Sequence, residues 1–185
     1  MKRCAWVDMK NVLYVKYHDE EWGRPVHDDR RLFEMLILEG AQAGLSWSTV
    51  LNKRENYRKA FDKFDYKKIA KYDEVKISDL LLDVGIIRNK LKIRSAIQNA
   101  KVFIEIIKEF GTFDKYIWNF VDGKQIINKV KLMSELTTKT EISDNIAKDL
   151  KKRGMNFVGS TIMYAYMQAV GMVNDHEVDC FCYSK

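Results

Sequence analysis

The stretch on which the fold turns is "LKKRGMNFVGSTIMYAYMQAVGMVNDH", residues 150–176. A helix running through "SDNIAKDLKK", capped by Ser143, ends at Gly154 just after the basic run Lys151–Lys152–Arg153. A short loop closes on Val158–Gly159. Ser160 and Thr161 then open an apolar helix that glycine ends again at Gly171. A helix, a glycine-bearing turn and a second helix have two readings. One is an ordinary tight turn between packed helices. The other is a cradle for phosphate, because glycine lets backbone approach an anion and a helix start offers free N–H groups at its positive dipole end. The candidates for that contact are Lys152, Arg153, Gly154, Gly159, Ser160 and Thr161, and the adjacent basic run favours phosphate.

Working outward, the chain has one proline, Pro25, and nine glycines in 185 residues, a scarcity of helix breakers that predicts an all-α protein. "RRLFEMLILEGAQAGLSW" (30–47) puts Leu32, Phe33, Leu36, Ile37 and Gly40 on one helical face. "NKLKIRSAIQNAKVFIEIIKEFG" (89–111) repeats the pattern through Leu91, Ile93, Ala96, Ile97, Ala100, Phe103, Ile104 and Ile107, stopping at Gly111. Residues 122–141 read as a connection with at most one short helix. With no repeat or linker, the expectation is one domain, 1–185, with two helical lobes around one cleft.

At 46% hydrophobic and 31% charged, the chain can fill a core and keep a soluble surface. No apolar run of about 18 residues and no apolar leader are seen, so the expectation is a cytoplasmic protein without a membrane span. Three cysteines in that compartment are expected to stay reduced. A net charge of +6 suits a polyanionic partner, nucleic acid above all, although a generic basic protein has the same charge.

The soft ligands gather at the two ends. Cys4 and His18 lie at one, His176 and Cys180 at the other, and four-residue spacing puts the latter pair on one face of a helical turn. Two cysteines and two histidines complete a tetrahedral zinc set, closed and therefore structural, which would tie the termini together. Separate buried thiols and a histidine pair remain the alternative, and Cys182 is a rival to Cys180.

Trp6, Tyr17, Trp22 and Trp47 all fall in the first quarter of the chain, close in sequence to Cys4 and His18. Single aromatics are usually core. Four around one histidine suit a rigid stacking chamber for a flat ligand. Glu39 sits within the apolar helix near its buried face, where a carboxylate needs a hydrogen-bonding partner or a ligand to recognise.

Five strings carry a resemblance: "RCAWV" (3–7), "YHDEEWGRPVHDDRRLFEMLILEGAQAGLSWSTVLNKRENYRKAF" (17–61), "GIIRNKLKI" (85–93), the stretch 150–176, and "HEVDCFCY" (176–183). Essentially from end to end, the chain resembles the 3-methyladenine DNA glycosylase I family of the helix–hairpin–helix superfamily. The resemblance implies a structural zinc on Cys4, His18, His176 and Cys180. It implies base recognition by Glu39, stacking by Tyr17 and Trp47, and support from Trp6 and Trp22. It implies that the turn Gln42–Ala43–Gly44–Leu45 approaches the gap left in the duplex, with the hairpin around 154–161 holding phosphates. The partner would be double-stranded DNA with alkylated bases, the product free 3-methyladenine, and the protein a monomer near the nucleoid. Adenine methylated at its 3-position is cationic and already a good leaving group, so no general acid is needed, and no lysine stands where a lyase would need one. Asp175 corresponds to no firm role: it is either a counterpart of an aspartate used by relatives or a residue orienting His176. A non-catalytic DNA-binding module and a zinc hydrolase are the rivals. The former has no use for Glu39 with Tyr17 and Trp47, and the latter needs an open metal position that four ligands deny.

Overall fold

The computed structural model describes residues 1–183. It is mostly helical. In chain order the helices are α1 (Val12–Glu20), α2 (Asp29–Gln42), α3 (Trp47–Ala60), α4 (Tyr66–Ile69), α5 (Glu74–Leu82), α6 (Lys90–Phe110), α7 (Phe113–Trp118), α8 (Glu141–Lys152) and α9 (Ser160–Ala169). Short polar side chains start most of them. Asn11, Asp28, Ser46, Asp73, Asn89 and Thr112 each accept from a backbone N–H of the first turn.

Two of these helices organise the rest. α2 is buried on every side through Leu32–Ala41, so it is the central rod rather than a surface helix. α6 covers it with Ile93, Ala96, Ile97, Ala100, Phe103 and Ile106; Phe33 meets Phe103 edge-on at 5.0 Å and Phe113 stacks on Phe103 at 4.1 Å, in one continuous apolar core. The long helix therefore forms as its period predicts, but Leu91 is 70% exposed. It lies in the first turn, beyond the end of α2, and Val102 and Ile106 take the buried positions further along.

Three local expectations are corrected. Ser143 does not cap α8: Thr140 does, and Ser143 returns the bond to the Thr140 N–H, closing a reciprocal capping box one turn earlier. The chain is not purely helical, because Ile126–Ile127 (β1) pairs in parallel with Val173–Asn174 (β2), and Val130 bridges Glu177. Consequently His176 and Cys180 do not share a helical turn. α9 ends at Ala169, and the chain runs extended through Asn174 before a turn from Glu177 to Cys180. The connection 122–141 holds one 3₁₀ turn, Met133–Glu135, besides its strand. Gly171 lets the chain leave α9 at φ +70°, where an added Cβ would come within 2.1 Å of the Arg24 carbonyl carbon. No helix among the described residues is long and apolar enough to cross a membrane.

Candidate active site and metal cluster

α1, α2, α3 and the start of the chain enclose a cavity of about 210 Å³, lined by Trp6, Tyr14, Tyr17, Trp22, Glu39, Gln42 and Trp47. α9 adds Ala165 and Gln168, and the 3₁₀ turn adds Met133 and Leu136. Glu39 reaches it from the buried face of α2 at 3% exposure. Among the described residues its carboxyl has no hydrogen-bonding partner, and burial alone pushes its pKa up to about 8. Free of ligand near pH 7, it is chiefly the neutral acid. Two buried indole donors, the Nε1 groups of Trp6 and Trp47, also lack a partner. Buried polar groups are normally satisfied, so one carboxyl and two N–H groups around a cavity mark a place for a polar ligand.

Aromatic rings make up much of the cavity wall. Tyr17 and Trp47 lie 5.2 Å apart at 50°, Trp6 packs edge-on against Trp22 at 4.8 Å, and Tyr14 meets Trp6 at 5.3 Å. Burial, helped by the nearby Glu39, holds the Tyr17 phenol well above its ordinary pKa, so it stays neutral. Sequence reading missed Tyr14, though it stands three residues before Tyr17 on one face of α1. It also missed Met133, Leu136, Ala165 and Gln168. Met133 and Leu136 come from the least patterned segment of the chain, which carried no local signal.

Trp22 also touches the second feature, its ring 4.7 Å from His176. Cys4, His18, His176 and Cys180 are all buried, and one ligand atom from each lies within 4.8 Å of the others. The Nδ1 of His18 meets Asp19 at 2.8 Å and that of His176 meets Asn174 at 2.9 Å. Both Nε2 atoms then turn to the cluster: that of His18 lies 3.4 Å from the Cys180 Sγ and from the Cys4 N–H, and that of His176 is buried without a partner among the described residues. Desolvation lowers both imidazoles, His176 to about 4, and pushes the Cys4 thiol up to about 12. Neutral imidazoles suit a metal, and buried thiols ionise only beside a cation. The donor set fits zinc. Among the described residues Cys4, Cys180 and Cys182 form no disulfide. Cys182 lies next to this quartet: its N–H donates to the Cys180 Sγ, its Sγ lies beside the carbonyls of His18 and Asp19, and with His18 and Asp19 it makes a second candidate group.

Asp175 neither lines the cavity nor orients His176, since Asn174 does the latter. It is buried and accepts from Tyr164, Gln168 and Asn128 at 2.6–2.7 Å. Gln42 lines the cavity at the end of α2, Gly44 turns at φ +77°, and Leu45 projects at 42% exposure.

Elsewhere, the turn 153–159 joins α8 to α9. Gly154 has φ +96°, and the α9 start at Gly159–Ser160–Thr161 has no side-chain cap, leaving its N–H groups open. Lys151 and Lys152 are exposed without ion pairs among the described residues. Arg153 differs: Glu109 and Asp149 hold its guanidinium at 2.6 and 2.7 Å, over the rings of Phe110 and Tyr116. That cation is already matched. A buried network ties α3 to α2 and to the end of α1, with Arg54 of α3 donating to Glu34 at 2.6 Å and to Glu21 at 2.8 Å.

Comparison with known proteins points to one family. The pattern of a family described as methyladenine glycosylase matches residues 6–183. DNA-3-methyladenine glycosylase 1 of Escherichia coli K12 is 48% identical over 183 residues, covering 99% of this chain and 97% of its own. A crystal structure of 3-methyladenine DNA glycosylase I superposes with a TM-score of 0.94 at 49% identity, covering 98% of this chain and all of that one. A structure of the Staphylococcus aureus enzyme, described as giving the structural basis of 3-methyladenine recognition, has a TM-score of 0.96 at 32% identity, over 100% and 98% of the two chains.

Proposed function

This chain belongs to the methyladenine glycosylase family, and on that premise we propose that it excises 3-methyladenine from alkylated DNA in base-excision repair. It hydrolyses the N-glycosidic bond of the extruded nucleotide, releasing the free base and leaving an abasic site. The observation that carries the reading is the lone buried carboxyl of Glu39, facing a cavity lined by Tyr17 and by Trp6 and Trp47, whose buried indole N–H groups have no partner among the described residues.

The work left to the protein is selection and exclusion. A damaged base pairs and stacks poorly, which lowers the cost of flipping it. Inside the cavity Tyr17 and Trp47 stack on it, supported by Trp6 and Trp22. Electron-rich faces favour a cationic base over neutral adenine by up to about 2 kcal/mol when desolvated. Glu39 accepts hydrogen bonds from the base, and its proton leaves as the cation enters. Because the methylated base departs readily, water attacks the sugar without a protonating acid, and the enzyme is monofunctional.

The contact with double-stranded DNA is assigned to a helix–hairpin–helix formed by α8, the turn 153–159 and α9. Backbone N–H groups at Gly159, Ser160 and Thr161, with Gly154 and Lys152, hold phosphate oxygens, while Gln42, Gly44 and Leu45 enter the duplex. Arg153 shapes the hairpin through its ion pairs. Zinc would be held by Cys4, His18, His176 and Cys180, and bound there it supplies a structural clasp between the ends of the chain. The protein acts as a single domain of two helical lobes around one cleft, as a monomer, in the nucleoid-bearing cytoplasm.

Incubating methylated duplex with the protein and separating the released bases tests the reading. Free 3-methyladenine is expected from the parent, and Glu39→Gln should lose most of the release while still binding DNA. Parental release by that variant would show Glu39 to be misassigned.

A further inference from the structure

Lys92, in the first turn of α6, is half-buried and makes no ion pair among the described residues. Its Nζ donates to the carbonyls of Ala41 and Ala43, at 2.8 and 2.7 Å. These belong to the C-terminal end of α2, where orphan carbonyls and the negative end of the helix dipole accept a cation. Beyond them the chain turns sharply. Leu45 N–H donates to the Gln42 carbonyl at 2.6 Å, Gly44 takes φ +77°, and the Leu45 side chain points outward. Lys92 therefore sets the direction in which the turn Gln42–Leu45 leaves the helix that carries Glu39.

The same helix also holds the hairpin. Seven residues along α6, about 10 Å by helical rise, the buried Asn99 brackets Asn156. Its Nδ2 donates to the Asn156 carbonyl at 2.9 Å and its Oδ1 accepts the Asn156 N–H at 2.8 Å. Gln98 donates to the Gly154 carbonyl at 3.3 Å. Phe157, at a φ of +55°, lies so close to α2 that a Cβ on Gly40 would stand 3.2 Å from its own Cβ. One helix thus fixes both the turn that faces the duplex gap and the turn assigned to its phosphates.

We propose that Lys92 is a positioning residue: it locks the Gln42–Leu45 turn at a fixed offset from the 153–159 hairpin, so that one rigid body grips the backbone and fills the space the nucleotide leaves. Lys92 touches no base, so its removal acts on extrusion and leaves recognition of a free base intact. This rests on the function proposed above.

The test compares Lys92→Met, unbranched and one atom shorter but without a donor, and Lys92→Gln, which keeps one, with the parent. Free 3-methyladenine affinity is read by tryptophan quenching, and release from methylated duplex is read under single-turnover conditions. Lys92→Met should slow release at least tenfold and leave free-base affinity within twofold, with Lys92→Gln between the two. Unchanged release by Lys92→Met overturns this inference alone, as does a parallel fall in release, free-base affinity and melting temperature, which marks a merely structural cap. Should Lys92→Met not fold, Lys92→Gln decides by the same criteria. A parent that releases no 3-methyladenine overturns both this inference and the functional reading beneath it.

Discussion

Replacing Glu39 with glutamine should make the protein more stable at alkaline pH, and by an amount that its burial fixes. Glu39 has no hydrogen-bonding partner among the described residues, and burial alone raises its pKa from an ordinary 4.5 to about 8. In the unfolded chain the carboxyl loses its proton near pH 4.5, while in the folded protein it keeps the proton to about pH 8. Between those values the folded state binds more protons than the unfolded one, so stability falls as pH rises. Each tenfold in that equilibrium costs about 1.4 kcal/mol, which brings the full penalty to as much as about 5 kcal/mol above pH 8. Glutamine has nearly the same shape and cannot ionise. Urea unfolding of parent and Glu39→Gln at intervals from pH 4 to 9 measures the difference. The two should agree below pH 4.5 and diverge through pH 8, the variant being the more stable. A difference that does not change with pH would refute the claim that the carboxyl is buried without a partner, and with it the reason for assigning Glu39 to a ligand.

Gly171→Ala should cost about 3 kcal/mol or more in urea unfolding, because the new Cβ would meet the Arg24 carbonyl carbon at 2.1 Å with φ at +70°; a loss under 1 kcal/mol would show that this crossing is not close. Arg54→Met should cost about 3 kcal/mol, leaving Glu21 and Glu34 without their shared cation, although Arg58 still reaches Glu34 at 2.8 Å. Adding Glu34→Met to it should recover part of that loss, and further destabilisation would contradict the account. Elemental analysis should find one zinc per chain, lost in Cys180→Ser; retention of zinc by that variant would hand the position to Cys182.

Patterned features were legible in the sequence. The period of apolar residues located α2 and α6, and glycines marked where α6, α8 and α9 stop, because helix burial and helix termination are local properties. Glu39 was conspicuous for a similar reason, as a charge on an apolar face. What could not be read was set by distant pairing. Val173–Asn174 follows the helix-ending Gly171 with no strand signal of its own but is extended in the fold, since β1 supplies its partner from forty-seven residues earlier. His176 and Cys180 were paired on helical spacing, yet the chain joins them through a turn after that strand. Ser143 looked like a cap because the better one, Thr140, was hidden in an unpatterned connection. Arg153 reads as a phosphate contact in sequence, and its pairing with Glu109, forty-four residues earlier, could not be read there. Met133 and Leu136 reach the cavity from a segment with no periodicity at all.

The central claim is that one small cavity, with a buried acid and flat rings, recognises a methylated base. Titrating free 3-methyladenine into the protein while following tryptophan fluorescence tests it most directly, because Trp6, Trp22 and Trp47 all line that cavity. Saturable quenching by 3-methyladenine, at least tenfold tighter than by adenine and weakened at least tenfold in Glu39→Gln, is the predicted result. No quenching, or equal quenching by both bases in both proteins, would contradict it.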